Sequence, residues 1–190
     1  MTKKWDSNSH DERQALLAFL EYQREALRIA THGLTDEQAR STPSASTLSL
    51  AALLNHAAVV ERNWTNILRS TDKPNGPAEH VASFQPGSKT LEELRADYQQ
   101  AADAMDAAVL AVSDLDFLVP VPAGVPWFPK DIEAWTVRWI VLHLIEETAR
   151  HAGHADVIRE SADGAQGVEL RAAAEGWPED GFVKPWRKSA

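Results

Sequence analysis

Trp139-Ile140-Val141-Leu142-His143-Leu144-Ile145-Glu146-Glu147-Thr148-Ala149-Arg150-His151-Ala152-Gly153-His154-Ala155-Asp156 decides how this chain is read. Extended from about Thr136 to Glu160, the stretch places Val137, Ile140, Val141, Leu144, Ile145, Thr148, Ala152, Ala155 and Ile158 at three- and four-residue steps. That spacing is the stripe of one long amphipathic helix. Three histidines and a glutamate are set close to the stripe. A buried imidazole must find hydrogen-bond partners or a metal, so their placement needs a physical reason.

Three more segments carry the same period. The first runs from about Asp11 to Thr31, with Leu16, Phe19, Leu20, Leu27 and Ala30 in phase; Ser9 and Glu12 offer a capping box, and Gly33 a stop. A short turn of helix, Thr35 to Arg40, follows. The second long helix starts near Ser49 and keeps Leu50, Leu53, Leu54, Ala57, Val60, Trp64, Ile67 and Leu68 on one side. The third opens on the capping box Thr90-x-x-Glu93 and aligns Leu91, Leu94, Tyr98, Ala101, Met105, Ala108 and Val112. Residues 71–89 and 113–130 are rich in proline and read as loops. The second of these, with Pro120, Pro122, Pro126, Trp127 and Phe128, is too apolar for a solvated linker and is expected to fold over the helices. No segment alternates as a strand would. The fold expected is all-α: a four-helix bundle with long connections over residues 10–165. A tail, 166–190, is expected to pack back in part through Trp177 and Trp186.

Composition narrows the function classes. The 190 residues hold 19 basic and 28 acidic side chains, a net charge of -9, which speaks against a nucleic-acid binder. The longest apolar run, Trp139 to Ile145, is far short of the roughly 20 residues that span a bilayer. The N-terminal lysines precede no apolar segment of a secretory signal. A cytoplasmic location, with no membrane partner, is expected. The chain has no cysteine, so thiol chemistry would have to use a thiol brought in from solution.

The histidines carry the chemical signal. His10, His32 and His80 fall at a terminus or in loops, where solvated imidazoles are ordinary; His56, His143, His151 and His154 fall inside the two most apolar helices. At about 100° per residue, and with His143 at zero, Glu147 stands at about 40°, His151 at about 80° and His154 at about 20°. Glu147 and His151, at i and i+4, lie one above the other and can grip one ion. A carboxylate with two imidazoles suits zinc or another divalent first-row metal and leaves positions open. The third ligand has to come from a facing helix, where His56 stands between Leu53 and Val60. The competing reading is a surface pair plus a satisfied core histidine. Glu61, about 140° around the helix from His56, points away. Asp156 and Arg159, at i and i+3, read as a helix ion pair, and Arg159 is also a candidate for binding an anionic group of a ligand. No H-E-x-x-H, Glu-x-x-His, phosphate loop or G-x-S-x-G occurs.

Two blocks of sequence carry a family likeness. Gly33-Leu34-Thr35-Asp36-Glu37-Gln38-Ala39-Arg40, Ser49-Leu50-Ala51-Ala52-Leu53-Leu54-Asn55-His56 and Glu61-Arg62-Asn63-Trp64 form the first; Trp139 to Asp156, followed by Arg159-Glu160, forms the second. Together they resemble the DinB-like superfamily, in the actinobacterial branch related to mycothiol-dependent S-transferases and the mycothiol-dependent maleylpyruvate isomerase. The resemblance implies one divalent metal held by His56, Glu147 and His151, in the mixed Glu-x-x-x-His form rather than the all-histidine one. Zinc is the first choice, with nickel, iron or manganese as alternatives. His154 stands where many members carry glutamine and is a lesser ligand or a base; His143 is expected to line the cavity. The activity implied is transfer of a low-molecular-weight thiol, such as mycothiol, to an electrophile, with a homodimer as a frequent assembly. Two rival readings are a metal-dependent hydrolase and a non-catalytic metal- or ligand-binding stress protein.

Overall fold

The computed structural model describes residues 11–71 and 73–187. Four long helices form the bundle: α1 (Glu12–Ile29), α3 (Leu50–Arg69), α5 (Leu91–Ala111) and α6 (Val137–Asp163). Short helices α2 (Asp36–Arg40), α4 (Pro77–Ala82) and α7 (Gly167–Glu175) decorate it, and strands β1 (Leu118–Pro120) and β2 (Ala134–Thr136) pair antiparallel. In the bundle α3 packs along α5, α1 along α6, and α3 against α6. The all-α expectation holds.

The helices start where side chains can take up free backbone N–H groups. Ser49 accepts from Ala52, Thr90 from Glu93, and Thr136 from Trp139. The Thr90 box closes reciprocally, with Glu93 accepting from the Thr90 N–H. At α1 the cap is Asp11, which accepts from the Arg13 N–H at 2.9 Å. The capping role expected of Ser9 lies outside the described residues, and Glu12 is the first helical residue rather than half of a box.

Three elements depart from the sequence reading. The 71–89 loop contains α4, with Pro77 at its first turn and Glu79 accepting from the Gly76 N–H at 3.0 Å. The β1–β2 ladder was not expected, since strands of three residues are too short to show alternation. It pins both ends of the 121–133 loop, which is extended by Val121 N–H to the Glu133 carbonyl at 2.9 Å. As expected, that loop lies over the bundle, with Phe128 against Trp64 and Trp135. Beyond Gly164 the chain forms α7 and runs on to Trp186, whose ring lies 4.7 Å from the Arg159 guanidinium. Gly33, at φ 72°, makes room for that ring: a Cβ there would stand 3.0 Å from it.

The core is two large apolar clusters and a small one. One large cluster gathers Leu27, Leu53, Leu54, Tyr98, Ala155 and Ile158; the other gathers Leu20, Trp64, Met105, Val137, Ile140 and Leu144; Ile29, Ala165 and Leu170 form the small one. Between the two large clusters in sequence, on three of the four long helices, fall polar residues: Arg24 on α1, Glu61 on α3, and Glu147, Thr148 and His151 on α6. Arg24 is fully buried and grips Glu61 bidentately, Nε to Oε1 at 2.7 Å and Nη2 to Oε2 at 3.0 Å. Its Nη1 reaches Asp106 at 2.8 Å. Burial alone would lower the arginine pKa, but Glu61 and then Asp106 outweigh it and raise it. Burial pushes the Glu61 carboxyl up against the pull of Arg24. Glu61 therefore faces away from His56, as its position around the helix required, and is spent on structure. No helix among the described residues is long and apolar enough to cross a membrane.

Removing one partner strands the other charge in the core. Arg24→Met should lower unfolding stability in urea by about 3–5 kcal/mol, and adding Glu61→Leu to it should recover most of that loss.

Candidate metal centre

His56 is brought to the middle of the bundle on the second turn of α3 and is 1% exposed. From α6, Glu147 and His151 meet it on the facing side. Both imidazoles aim at one carboxylate oxygen: His56 Nε2 is 3.3 Å and His151 Nε2 3.1 Å from Glu147 Oε1. The three donor atoms lie within 4.8 Å of one another, and no other such cluster occurs among the described residues.

The rest of the His56 ring is clamped. Nδ1 lies 2.7 Å from Ser83 Oγ, and the Ser83 hydroxyl donates to the His80 carbonyl at 2.5 Å. A hydroxyl has one proton. With that proton on His80, Ser83 can only accept from His56, so Nδ1 carries the hydrogen and Nε2 presents a lone pair. Phe84 stacks on the ring at 4.0 Å, with 12° between planes. Ser83 itself is held by Asn55, whose Nδ2 donates to its carbonyl at 2.7 Å. Lys89 Nζ donates to Asn55 Oδ1 at 3.2 Å and to Asp97 at 2.8 Å.

Charge completes the case for a cation. Hydrogen bonding from His151 holds the Glu147 carboxyl far below the usual carboxylate range. Burial, reinforced by His151 and His80 against the opposing pull of Glu147, lowers the His56 pKa and favours its neutral form. A bare Nε2 lone pair aimed at a carboxylate oxygen repels it unless positive charge lies between them. The donor set thus fits one divalent first-row ion.

The other expected site residues fall elsewhere. His143 lines the same cavity one turn away, stacked on Trp139 at 5.3 Å and 4.9 Å from Trp64, and burial lowers its pKa. His154 is exposed, its ring 5.7 Å from that of His151 and outside the cluster. Arg159 is fully buried and does not reach the cavity. Its guanidinium donates to Asp163 at 2.9 Å and to the carbonyls of Ala30 and His32 at 2.9 and 2.8 Å, tying down the end of α1. These contacts take the place of the expected Asp156 pair. Asp156 lies instead against Gly167, where a Cβ would stand 2.9 Å from Oδ1.

Two residues were missed. His80, read as a solvated loop histidine, stands 5.5 Å edge-on to the His56 ring, and Ser83 lies one turn on. Neither has a signal in sequence apart from a Pro77-led helix start. A cavity of about 380 Å³ opens beside the cluster, walled by His80, Ser83, His143 and several aromatic side chains.

Residues 15–164, 150 of the 190, match the family described as Mycothiol-S-transferase. The chain belongs to the mycothiol S-transferase family. No curated protein matches this family member. Its fold is similar to the crystal structure of a conserved protein of locus from Enterococcus faecalis. The two share 16% identity over 83% of this chain and 100% of that one, with a TM-score of 0.59. At that identity the likeness speaks for the helical-bundle fold alone.

Elemental analysis of the purified transferase-family protein should find about one divalent metal per chain. His56→Ala, Glu147→Gln and His151→Ala should empty the site. Ser83→Ala, His143→Ala and His154→Ala should weaken binding by about 10–100-fold or less, measured by chelator competition.

Proposed function

We propose that this protein conjugates an external low-molecular-weight thiol, mycothiol by first choice, to an electrophile held in the cavity beside His56, Glu147 and His151. The observation that carries the reading is the convergence of three donors on an aromatic-walled cavity in a mycothiol S-transferase family chain. The absence of cysteine fits it, because the nucleophilic sulfur then comes from the cosubstrate. Zinc is our first choice of ion.

Bound at this triad, a divalent cation with one carboxylate keeps a net charge of about +1, which lowers the pKa of a thiol placed beside it. The chain's own residues prepare the place. Ser83 and Phe84 hold His56 in one tautomer and one orientation, so no ring rotation has to be undone on binding. Glu147 stays anionic across the physiological range. The apolar walls keep water from the sulfur, which strengthens every electrostatic contact there. His143, kept neutral by burial, faces the cavity and can accept the thiol proton. In the transfer the S–H proton leaves and a C–S bond forms. Either a halide departs from the electrophile, or a conjugated C=C bond becomes C–C–H by taking up a proton.

Mycothiol, bacillithiol, glutathione and coenzyme A, each tried with a bimane and a chlorinated dinitrobenzene, test the reading. Conjugation should require metal, thiol and electrophile together, and its rate should follow an apparent pKa below the ~8.5 of a free thiol. His56→Ala should abolish it with helical content intact. Metal-replete protein with no rate above background for any thiol overturns the proposal; ester or amide cleavage without thiol would assign a hydrolase instead.

A further inference from the structure

The cavity wall is more aromatic than holding an ion or a thiol requires. Trp64, Trp127, Phe128, Trp135 and Trp139 all face it. Running from β2 into α6, Trp135, Trp139 and His143 form a ladder of parallel rings, 4.9 Å apart at 4° and 5.3 Å apart at 5°. Trp64 crosses the ladder, 4.9 Å from His143 and 5.3 Å from Trp135. Trp64 and Trp135 are buried and also serve the core. Trp127 does not: it is 50% exposed on the 121–133 loop, and the rings it meets among the described residues are His80 at 5.6 Å and Phe128 at 6.4 Å. A half-exposed tryptophan at a cavity wall is contact surface for a guest rather than for the fold.

Charge restricts the guest. Glu147 is the one acidic side chain in the lining, and it is already engaged with two histidines. Among the described residues no lysine or arginine lines the cavity. A carboxylate or phosphate on the guest would find a counter-charge at the metal triad alone and none along the aromatic wall. Polar contact is available at Asn63, whose Oδ1 already accepts from the Asn75 N–H at 2.7 Å, leaving its amide N–H groups as donors.

We propose that this wall is the subsite for a neutral, flat, conjugated ring, an activated aryl electrophile, and that Trp127 selects it. That the ring is an electrophile rests on the thiol-transfer reading; the subsite for a flat neutral ring does not. Flat rings gain from offset and edge-to-face contact with aromatic walls beyond the area they bury, whereas puckered rings of equal size gain only the area.

Equilibrium dialysis of the full-length protein as purified, with no thiol present, tests the subsite separately from turnover. The probe is 1,3-dinitrobenzene, which has no leaving halide. It should bind saturably at about one per chain, and nitrocyclohexane should bind several-fold more weakly. Trp127→Ala should weaken dinitrobenzene binding by about 3- to 10-fold, and Trp127→Phe should restore most of it. Equal binding of the flat and puckered probes, or wild-type affinity in Trp127→Ala, overturns the proposal. The probe comparison needs no variant, and because no thiol is present, its failure is distinct from an absence of conjugation.

Discussion

A guanidinium in the middle of a helical bundle has to be answered by a carboxylate at one height and no other. Arg24 and Glu61 meet that demand with two hydrogen bonds, in a layer where α1, α3 and α6 give up their apolar stripes. Sliding α1 by one turn along α3 would leave both charges without partners in low dielectric, a loss on the scale of the protein's whole stability. The pair therefore sets the register of α1 on α3. Since α1 also packs along α6, the height at which α6 presents Glu147 and His151 to His56 follows from it. Helix α3 serves both sides of this layer, with Glu61 turned to the structural pair and His56 to the cavity.

The second constraint is a single proton. Ser83 could donate to His56 or accept from it, and the His80 carbonyl decides the matter by taking the hydroxyl hydrogen. What results is an imidazole whose free nitrogen is a donor of electrons by construction. The Asn55 amide and Lys89 hold Ser83 from behind, so the tautomer is fixed by a chain of hydrogen bonds that crosses from α3 to the connection and on to Asp97 of α5. An ion arriving at such a site finds its ligands already oriented.

Much of this was legible in the sequence because it is local. The four apolar stripes located the long helices to within a few residues, and the i,i+4 spacing of Glu147 and His151 identified the pair that faces His56. What escaped depends on partners distant in the chain. Ser83 is 27 residues from His56, and Arg24 is 37 from Glu61; no periodicity reports such meetings. Arg159 misled for the same reason: a local rule paired it with Asp156, while its strongest claims come from carbonyls 127 and 129 residues away. His154 shares the angular arc of the ligands but stands about 16 Å along the axis from His143, past the height at which His56 waits. Angle around a helix says which way a side chain points, and only packing says what it meets.

The two connections that wall the cavity carry unequal burdens. The one holding α4 has a fixed obligation at Ser83, without which His56 loses its orientation. The 121–133 loop has no such duty toward the triad and is fastened at its base by backbone pairing, which is indifferent to side-chain identity. Mutation can therefore drift through the exposed positions of residues 121–133, Trp127 among them, and reshape the guest's wall while the ion's ligands keep their positions. Chains that share these helices and differ in that loop would be expected to diverge in selectivity first and in metal chemistry last, which makes the loop the place where evolution, or a designer, can retune the protein at least cost to its fold.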